Sequence, residues 1–194
     1  MLRRIFAWIA AIIAGAVLGL GSAWAVLKFG GQSFTEDYGR WEFSRAAGST
    51  AAGPYTRAII ARGGLLALSA REAVYFSLYT DEHNRPLSES CIYTLAGRPL
   101  DARWWSVTLY ADDNFLAQNN DNAYSIDATR IGNDVPWTAR ISPVRGDAAN
   151  WLSSREARRG FVIMLRVYNP QRDFRPSEQT LPVLTTVSCA GDTP

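Results

Sequence analysis

The feature that most constrains this chain is its beginning. From Ile5 to Leu27 there are 23 residues without a charged side chain. As a helix rising ~1.5 Å per residue, such a run reaches about 35 Å, enough to cross a hydrocarbon core of about 30 Å. Arg3, Arg4 and the terminal amine stand before it, and only Lys28 stands immediately after it. The positive-inside rule then puts the N-terminus in the cytoplasm and the rest of the chain on the far side. The expected organisation is a transmembrane helix acting as signal anchor over residues 1–29, a juxtamembrane tether over 30–53 and an exported domain over 54–194. A cleaved signal peptide competes with the anchor, because Ala23-Trp24-Ala25 fits the small-x-small cleavage pattern. Against it, a signal's apolar region is usually only ~7 to 15 residues long.

Within the apolar run, Ala7, Ala11, Gly15, Gly19 and Ala23 recur every four residues. On a helix they form one stripe of small side chains, along which a second backbone can approach closely. The functional reading is a packing face for another copy of the chain or for a subunit of a membrane complex. The plainer reading is that alanine and glycine are common in membrane spans.

Composition matters most for what it excludes. The formal charge of +2 comes from the flanks of the apolar run: without Arg3, Arg4 and Lys28, 17 basic residues face 18 acidic ones. That balance is no nucleic-acid footprint. Lys28 is the only lysine and His83 the only histidine, so the exported part has neither a Schiff-base lysine nor a multi-histidine metal site. No Gly-x-Ser-x-Gly elbow, phosphate-binding glycine loop or histidine-rich zinc motif is present, and neither cofactor nor metal is expected.

Beyond residue 53 the hydrophobic period changes from helical to two. Pro54 opens a segment, Tyr55 to Leu68, whose Ala58, Ile59, Leu65 and Leu66 suit a short helix interrupted at Gly63-Gly64. The region before it, Gly30 to Gly53, is polar and aperiodic and reads as a tether or a short juxtamembrane helix. From Val74 to Thr80 alternate residues point to opposite faces, and Asp81 to Pro86 reads as a hairpin connection to a strand at Cys91 to Leu95. Trp104 to Tyr110, Trp137 to Ser142, Phe161 to Tyr168 and Val183 to Ser188 complete the set. The expected fold is mainly β, an antiparallel β-sandwich or jelly-roll-like domain preceded by one transmembrane helix and a short helix.

Several local strings, in this order, resemble the bacterial family known as domain of unknown function 1214. They are Tyr55-Thr56-Arg57-Ala58 with Gly64-Leu65, Glu72-Ala73-Val74-Tyr75, Trp105-Ser106-Val107-Thr108-Leu109-Tyr110, Asn122-Ala123-Tyr124-Ser125-Ile126, Asn150-Trp151-Leu152, and Met164-Leu165-Arg166-Val167-Tyr168-Asn169-Pro170. The resemblance runs from residue 55 to residue 188 and implies a β-rich, jelly-roll-like domain but no activity. With a bacterial origin, the expected place is the inner membrane, single-pass, with the C-terminal domain in the periplasm.

Candidate chemistry is sparse. Cys91 and Cys189 lie on the oxidising side of this topology and read as a disulfide; two buried free thiols, or a Cys91 nucleophile served by His83, are the alternatives. Asp112, Asp113, Asn114, Asn119, Asn120, Asp121 and Asn122 supply the hard oxygens that calcium favours, and equally the local hydrogen bonds of ordinary loops. Arg155, Arg158 and Arg159 read as an anion patch or, with Glu156 among them, as a solvated face. Most suggestive is the less apolar face of the strands: Tyr75, Ser77, Tyr79, Trp104, Ser106, Thr108, Tyr110, Arg166 and Tyr168. Rings supply apolar area and hydroxyls fix orientation, a combination suited to sugar rings or amphipathic ligands. The alternative is a face covered by the Tyr55 to Leu68 helix or by the second sheet. Together these features point to a non-enzymatic, membrane-anchored binding or assembly module. An accessory subunit of a membrane complex is the nearest alternative, and an envelope enzyme on glycans or lipids, using Asp112 or Asp113 with Arg166, a more distant one.

Overall fold

Period-two alternation decides the architecture beyond the first helix, because it sorts side chains between a core face and an outer face. The computed structural model describes residues 2–29, 35–44, 47–62, 68–69, 71–172 and 174–190. Along the chain these form α1 (Leu2–Phe29), β1 (Thr35–Tyr38), β2 (Trp41–Ser44), α2 (Pro54–Arg62), β3 (Ala73–Leu78), β4 (Cys91–Gly97), β5 (Ala102–Tyr110), β6 (Ser125–Asp127), α3 (Ala128–Ile131), β7 (Trp137–Ser142), β8 (Trp151–Ser153), β9 (Val162–Pro170) and β10 (Val183–Cys189).

Helix α1 has 28 residues, a mean hydropathy of 2.2 over its most apolar stretch and no buried side chain, so by length and composition it can cross a membrane. Its only half-buried residues are Ala23, Ala25 and Leu27, and it meets α2. Lys28 lies over the rings of Trp24 and Phe29, 4.7 and 5.3 Å from their centroids. Aromatic rings beside a cation are the composition of a membrane–water interface.

The strands form two sheets, ordered β1-β2-β3-β9-β5-β6 and β10-β4-β7-β8. All pairs are antiparallel except β7 with β8, which is parallel. Phe76, Leu165, Val167, Trp105, Val107 and Leu109 of the larger sheet share one buried cluster with Tyr93, Leu95, Ile141 and Leu184 of the smaller. The mainly β, sandwich-like expectation therefore holds. Burying a side chain of this size fully is worth roughly 1.5–3 kcal/mol, which is why the alternation fixes the faces. At the core's centre Trp105 and Trp137 stack with centroids 4.7 Å apart. Gly97 makes room for that stack, since a Cβ there would lie 2.2 Å from the Trp137 ring.

Two local expectations differ from the structure, and a third is met in part. Residues 35–44, read as part of a tether or short juxtamembrane helix, form a hairpin whose second strand pairs with β3 (Trp41↔Leu78, Glu42↔Ser77, Phe43↔Phe76). Phe43 packs on Phe76 at 5.3 Å, and the Trp41 indole N–H donates to the Pro182 carbonyl at 2.7 Å; long-range packing outweighs weak local periodicity here. Second, the turn at 81–86 does not join paired strands. The Thr80↔Pro86 bridge closes it, but Leu87 then plunges into the core and carries the chain from the larger sheet to the smaller. The turn is organised by Asp81, 1% exposed, whose carboxylate accepts from the His83 and Arg85 amides and from the Arg85 guanidinium at 2.8–2.9 Å. Burial alone would raise its pKa, but these donors more than offset it and hold the carboxyl below the ordinary range. Third, the short helix occupies 54–62, with Pro54 at its first position; its expected interruption at Gly63-Gly64, and Leu65 and Leu66, lie outside the described residues.

Cys91 and Cys189 face each other across the β4–β10 pair and are joined in a disulfide, with Cα atoms 3.9 Å apart. That removes the readings of Cys91 as a nucleophile and of two free thiols.

Candidate ligand-binding groove

The outer face of the larger sheet is assembled by register. One row runs Glu42, Ser77, Met164, Thr108, Ser125 across five strands. The next runs Tyr75, Arg166, Ser106, Asp127, and a third Ala73, Tyr168, Trp104. The strands carrying the expected face are thus immediate neighbours, and the face is continuous.

Part of that face is roofed and part is open. Ile59 and Ile60 of α2, with Ala47, cover a groove of about 200 Å³ whose floor is Tyr75, Ser77, Val162 and Met164. Thr35 and Glu42 lie on one side of the groove, and Tyr79, Tyr110, Asn114 and Arg166 also line it. A wider hollow of about 560 Å³ adjoins it over Thr108, Ser125 and Tyr124, walled by Asp113, Phe115 and Leu116. Tyr110, Asn114 and Arg166 border both. The α2 helix therefore covers the face at Tyr75, which is buried and whose hydroxyl accepts from the Leu68 amide at 3.0 Å, without filling the space beneath.

Of the residues singled out from the sequence, Tyr75, Ser77, Tyr79, Tyr110 and Arg166 come together in the roofed groove, and Thr108 joins Tyr110 and Arg166 in the hollow. Trp104, Ser106 and Tyr168 lie on the same face outside both. Trp104 packs on Tyr168 at 5.2 Å and its indole N–H donates to Thr129 Oγ1 at 2.9 Å, while Ser106 is buried.

The electrostatics of the groove are unusual for a half-buried site. Arg166 donates to Thr108 Oγ1 at 3.0 Å and to the Tyr110 hydroxyl. Among the described residues no carboxylate pairs with it. A guanidinium carries five N–H donors, so donors remain for a guest. Glu42, on the same outer face two strands away, makes no side-chain hydrogen bond or ion pair among the described residues. Burial raises its carboxyl above the ordinary value, and the neighbouring charge of Asp37 raises it further. Burial likewise pushes the Tyr79 hydroxyl up, with the Glu42 charge adding to it.

Glu42, Ala47, Ile60, Val162 and Met164 were not singled out from the sequence as site residues, and Asn114 only as a possible calcium ligand. For Glu42 the signal existed: Trp41-Glu42-Phe43 alternates apolar, polar, apolar, and its neighbours are the core-facing pair. For Ala47 and Ile60 none existed, because the one lies before α2 and the other on it, and only long-range packing brings them to the groove.

The remaining candidates are engaged locally. Asp113 Oδ1 accepts from the Phe115 amide and Asn119 Oδ1 from the Asp121 amide, both at 3.0 Å; Asn114 and Asn122 take left-handed conformations at φ 66° and 53°. Asp121 pairs with Arg155 and with Ser153 Oγ. Asp112 is exposed and borders neither cavity; His83 is exposed in its turn. Along the α1 stripe, nothing lies within 4 Å of a Cβ built at Gly15 or Gly19.

The family model described as "Protein of unknown function (DUF1214)" matches residues 72–172, just over half of the chain. That stretch carries the groove floor and Arg166 but neither the α2 roof nor Glu42. Among solved structures, the chain resembles the VPA0106 protein from Vibrio parahaemolyticus at 23% identity and a TM-score of 0.55, covering 71% of this chain and 36% of that one. It also matches an uncharacterized protein from Burkholderia cenocepacia at 14% identity and a TM-score of 0.43, covering 59% and 30%. The first likeness is one of fold. The chain spans about a third of the length of these two structures, and no curated protein matches it.

Proposed function

The chain belongs to the family of proteins of unknown function DUF1214, and from that premise we propose that it is a membrane-anchored, periplasmic binding module of the bacterial inner membrane, holding a small ligand in the groove under α2. One observation carries this reading. The inner face of the larger sheet is filled by the smaller sheet, whereas its outer face keeps a cavity of about 200 Å³ lined by rings, hydroxyls, one guanidinium and one carboxylate. Concave, largely apolar space with a few convergent polar groups is the usual form of a ligand site. The charge asymmetry around α1 and the Cys91–Cys189 bond support placement on the oxidising side. Nothing favours the enzymatic alternative over binding.

The test is a thermal-shift survey of glycan fragments and small amphiphiles with the full chain in non-ionic detergent, beside Met164→Trp, which fills the groove floor. At least one ligand class is expected to raise the melting temperature of the wild type and not of the variant. Equal responses in both proteins would count against the groove. A second role is assembly through the α1 stripe of Ala7, Ala11, Gly15, Gly19 and Ala23, along which a second helix can approach closely; Gly15→Leu with Gly19→Leu is expected to abolish crosslinking in membranes, and unchanged crosslinking excludes it.

A further inference from the structure

The two charges of the groove are complementary to one kind of guest. Arg166 and Glu42 lie on the same outer face, two strands apart laterally and two residues apart along the strand, which puts their Cα atoms roughly 12 Å apart at ordinary sheet spacings. No ion pair joins them. Among the described residues neither has another ionic partner, and both line the same half-buried space. Charges removed from water normally find counter-charges; here each faces the cavity instead. The strand between them, β3, presents Ser77 and the Tyr75 ring to the groove, and Ile59, Ile60, Val162 and Met164 supply its apolar lining.

An anionic amphiphile would satisfy Arg166 and leave Glu42 facing its tail. A neutral sugar would satisfy neither charge. We propose that the groove takes a dipolar guest: a small zwitterion whose carboxylate sits at Arg166 beside the Tyr110 hydroxyl, whose ammonium sits at Glu42, and whose apolar middle lies under α2. This deepens the proposed function and rests on the groove being the binding site.

The probes are 6-aminohexanoate, in which a methylene chain separates carboxylate and ammonium, with hexanoate, hexylamine and hexanamide as single-charge and neutral comparators. Binding is measured by calorimetry on the full chain in non-ionic detergent. The zwitterion is expected to bind about tenfold or more tightly than any comparator. Glu42→Gln should erase its advantage over hexanoate, and Arg166→Gln its advantage over hexylamine. Arg166→Lys and Glu42→Asp, which keep the charges, should retain most of it and serve as controls for folding. If hexanoate or hexanamide matches the zwitterion while Met164→Trp abolishes binding of all probes, the groove is the site and the dipolar guest is wrong. If Met164→Trp leaves zwitterion binding intact, or if no probe binds the wild type, both the guest and the groove reading fall.

Discussion

At the scale of single residues, the groove is defined by where two charges were left. Glu42 sits in the middle of a three-residue alternation whose neighbours, Trp41 and Phe43, are drawn inward by the core. Its outward position follows from theirs, and its partial burial from the roof above. Because its carboxyl is raised above the ordinary value of 4.5, folding favours its protonated form. The stability this contributes is fully present below the unfolded pKa and is lost as pH rises through the folded one. Glu42→Gln, which removes the ionisation but keeps the shape, is therefore expected to raise the melting temperature at pH 7 by a few degrees. The gain should vanish below about pH 4.5. Melting curves of the two proteins from pH 3.5 to pH 7 check this; a difference independent of pH contradicts it. Arg166 was legible in the sequence from its place on the polar side of an otherwise apolar strand. Glu42 carried only the three-residue alternation Trp41-Glu42-Phe43, a period too short to single it out.

At the scale of elements, the smaller sheet is fastened at its edge. Strand β10 is an edge strand with Val183 and Val187 exposed, 51% and 59%, and few side chains to bury. The Cys91–Cys189 bond ties it to β4 across a sequence separation of 98 residues. Closing a loop of about 100 residues removes denatured-state entropy worth about 4.7 kcal/mol in the chain-entropy picture. Replacing both cysteines by serine is expected to lower the unfolding free energy by an amount of that order, measured by urea denaturation, and to leave β10 open to proteolysis first. An unchanged midpoint, or two free thiols in the denatured unreduced protein, would refute it. Helix α2 shows the opposite case. Its existence was readable from Pro54 and the spacing of its apolar residues, and cover of the face by this helix was one of the two alternatives read there; the groove left beneath it was not. The β1–β2 hairpin is similar: its local sequence is polar and aperiodic, and only pairing with β3 makes it a strand pair.

At the scale of the whole molecule, α1 and the sandwich differ in how they treat apolar surface: α1 leaves it exposed and the sandwich buries it. The apolar stretch of α1, buried nowhere in the protein, is long and apolar enough to cross a bilayer; the domain is near neutral and packs on itself. Intact-mass measurement of the purified protein is expected to give the whole chain, and a protease added to spheroplasts is expected to digest the domain and spare α1. A mass lacking residues 1–25 would replace the anchor by a secreted form. What the sequence determined by itself was what local chemistry dictates: an uncharged run long enough for a membrane, and alternation strong enough to locate β3, β4, β5, β7, β9 and β10 and to assign faces to β3, β5 and β9. What only the tertiary structure decided was which of those faces became neighbours and what lay over them. The three-residue strands β6 and β8, the crossing of the chain between sheets at Leu87, and the meeting of Glu42, Ile60 and Arg166 in one groove depend on contacts between residues far apart in sequence. Such contacts are selected by burial and register over the whole fold, and no short window of sequence carries their signal.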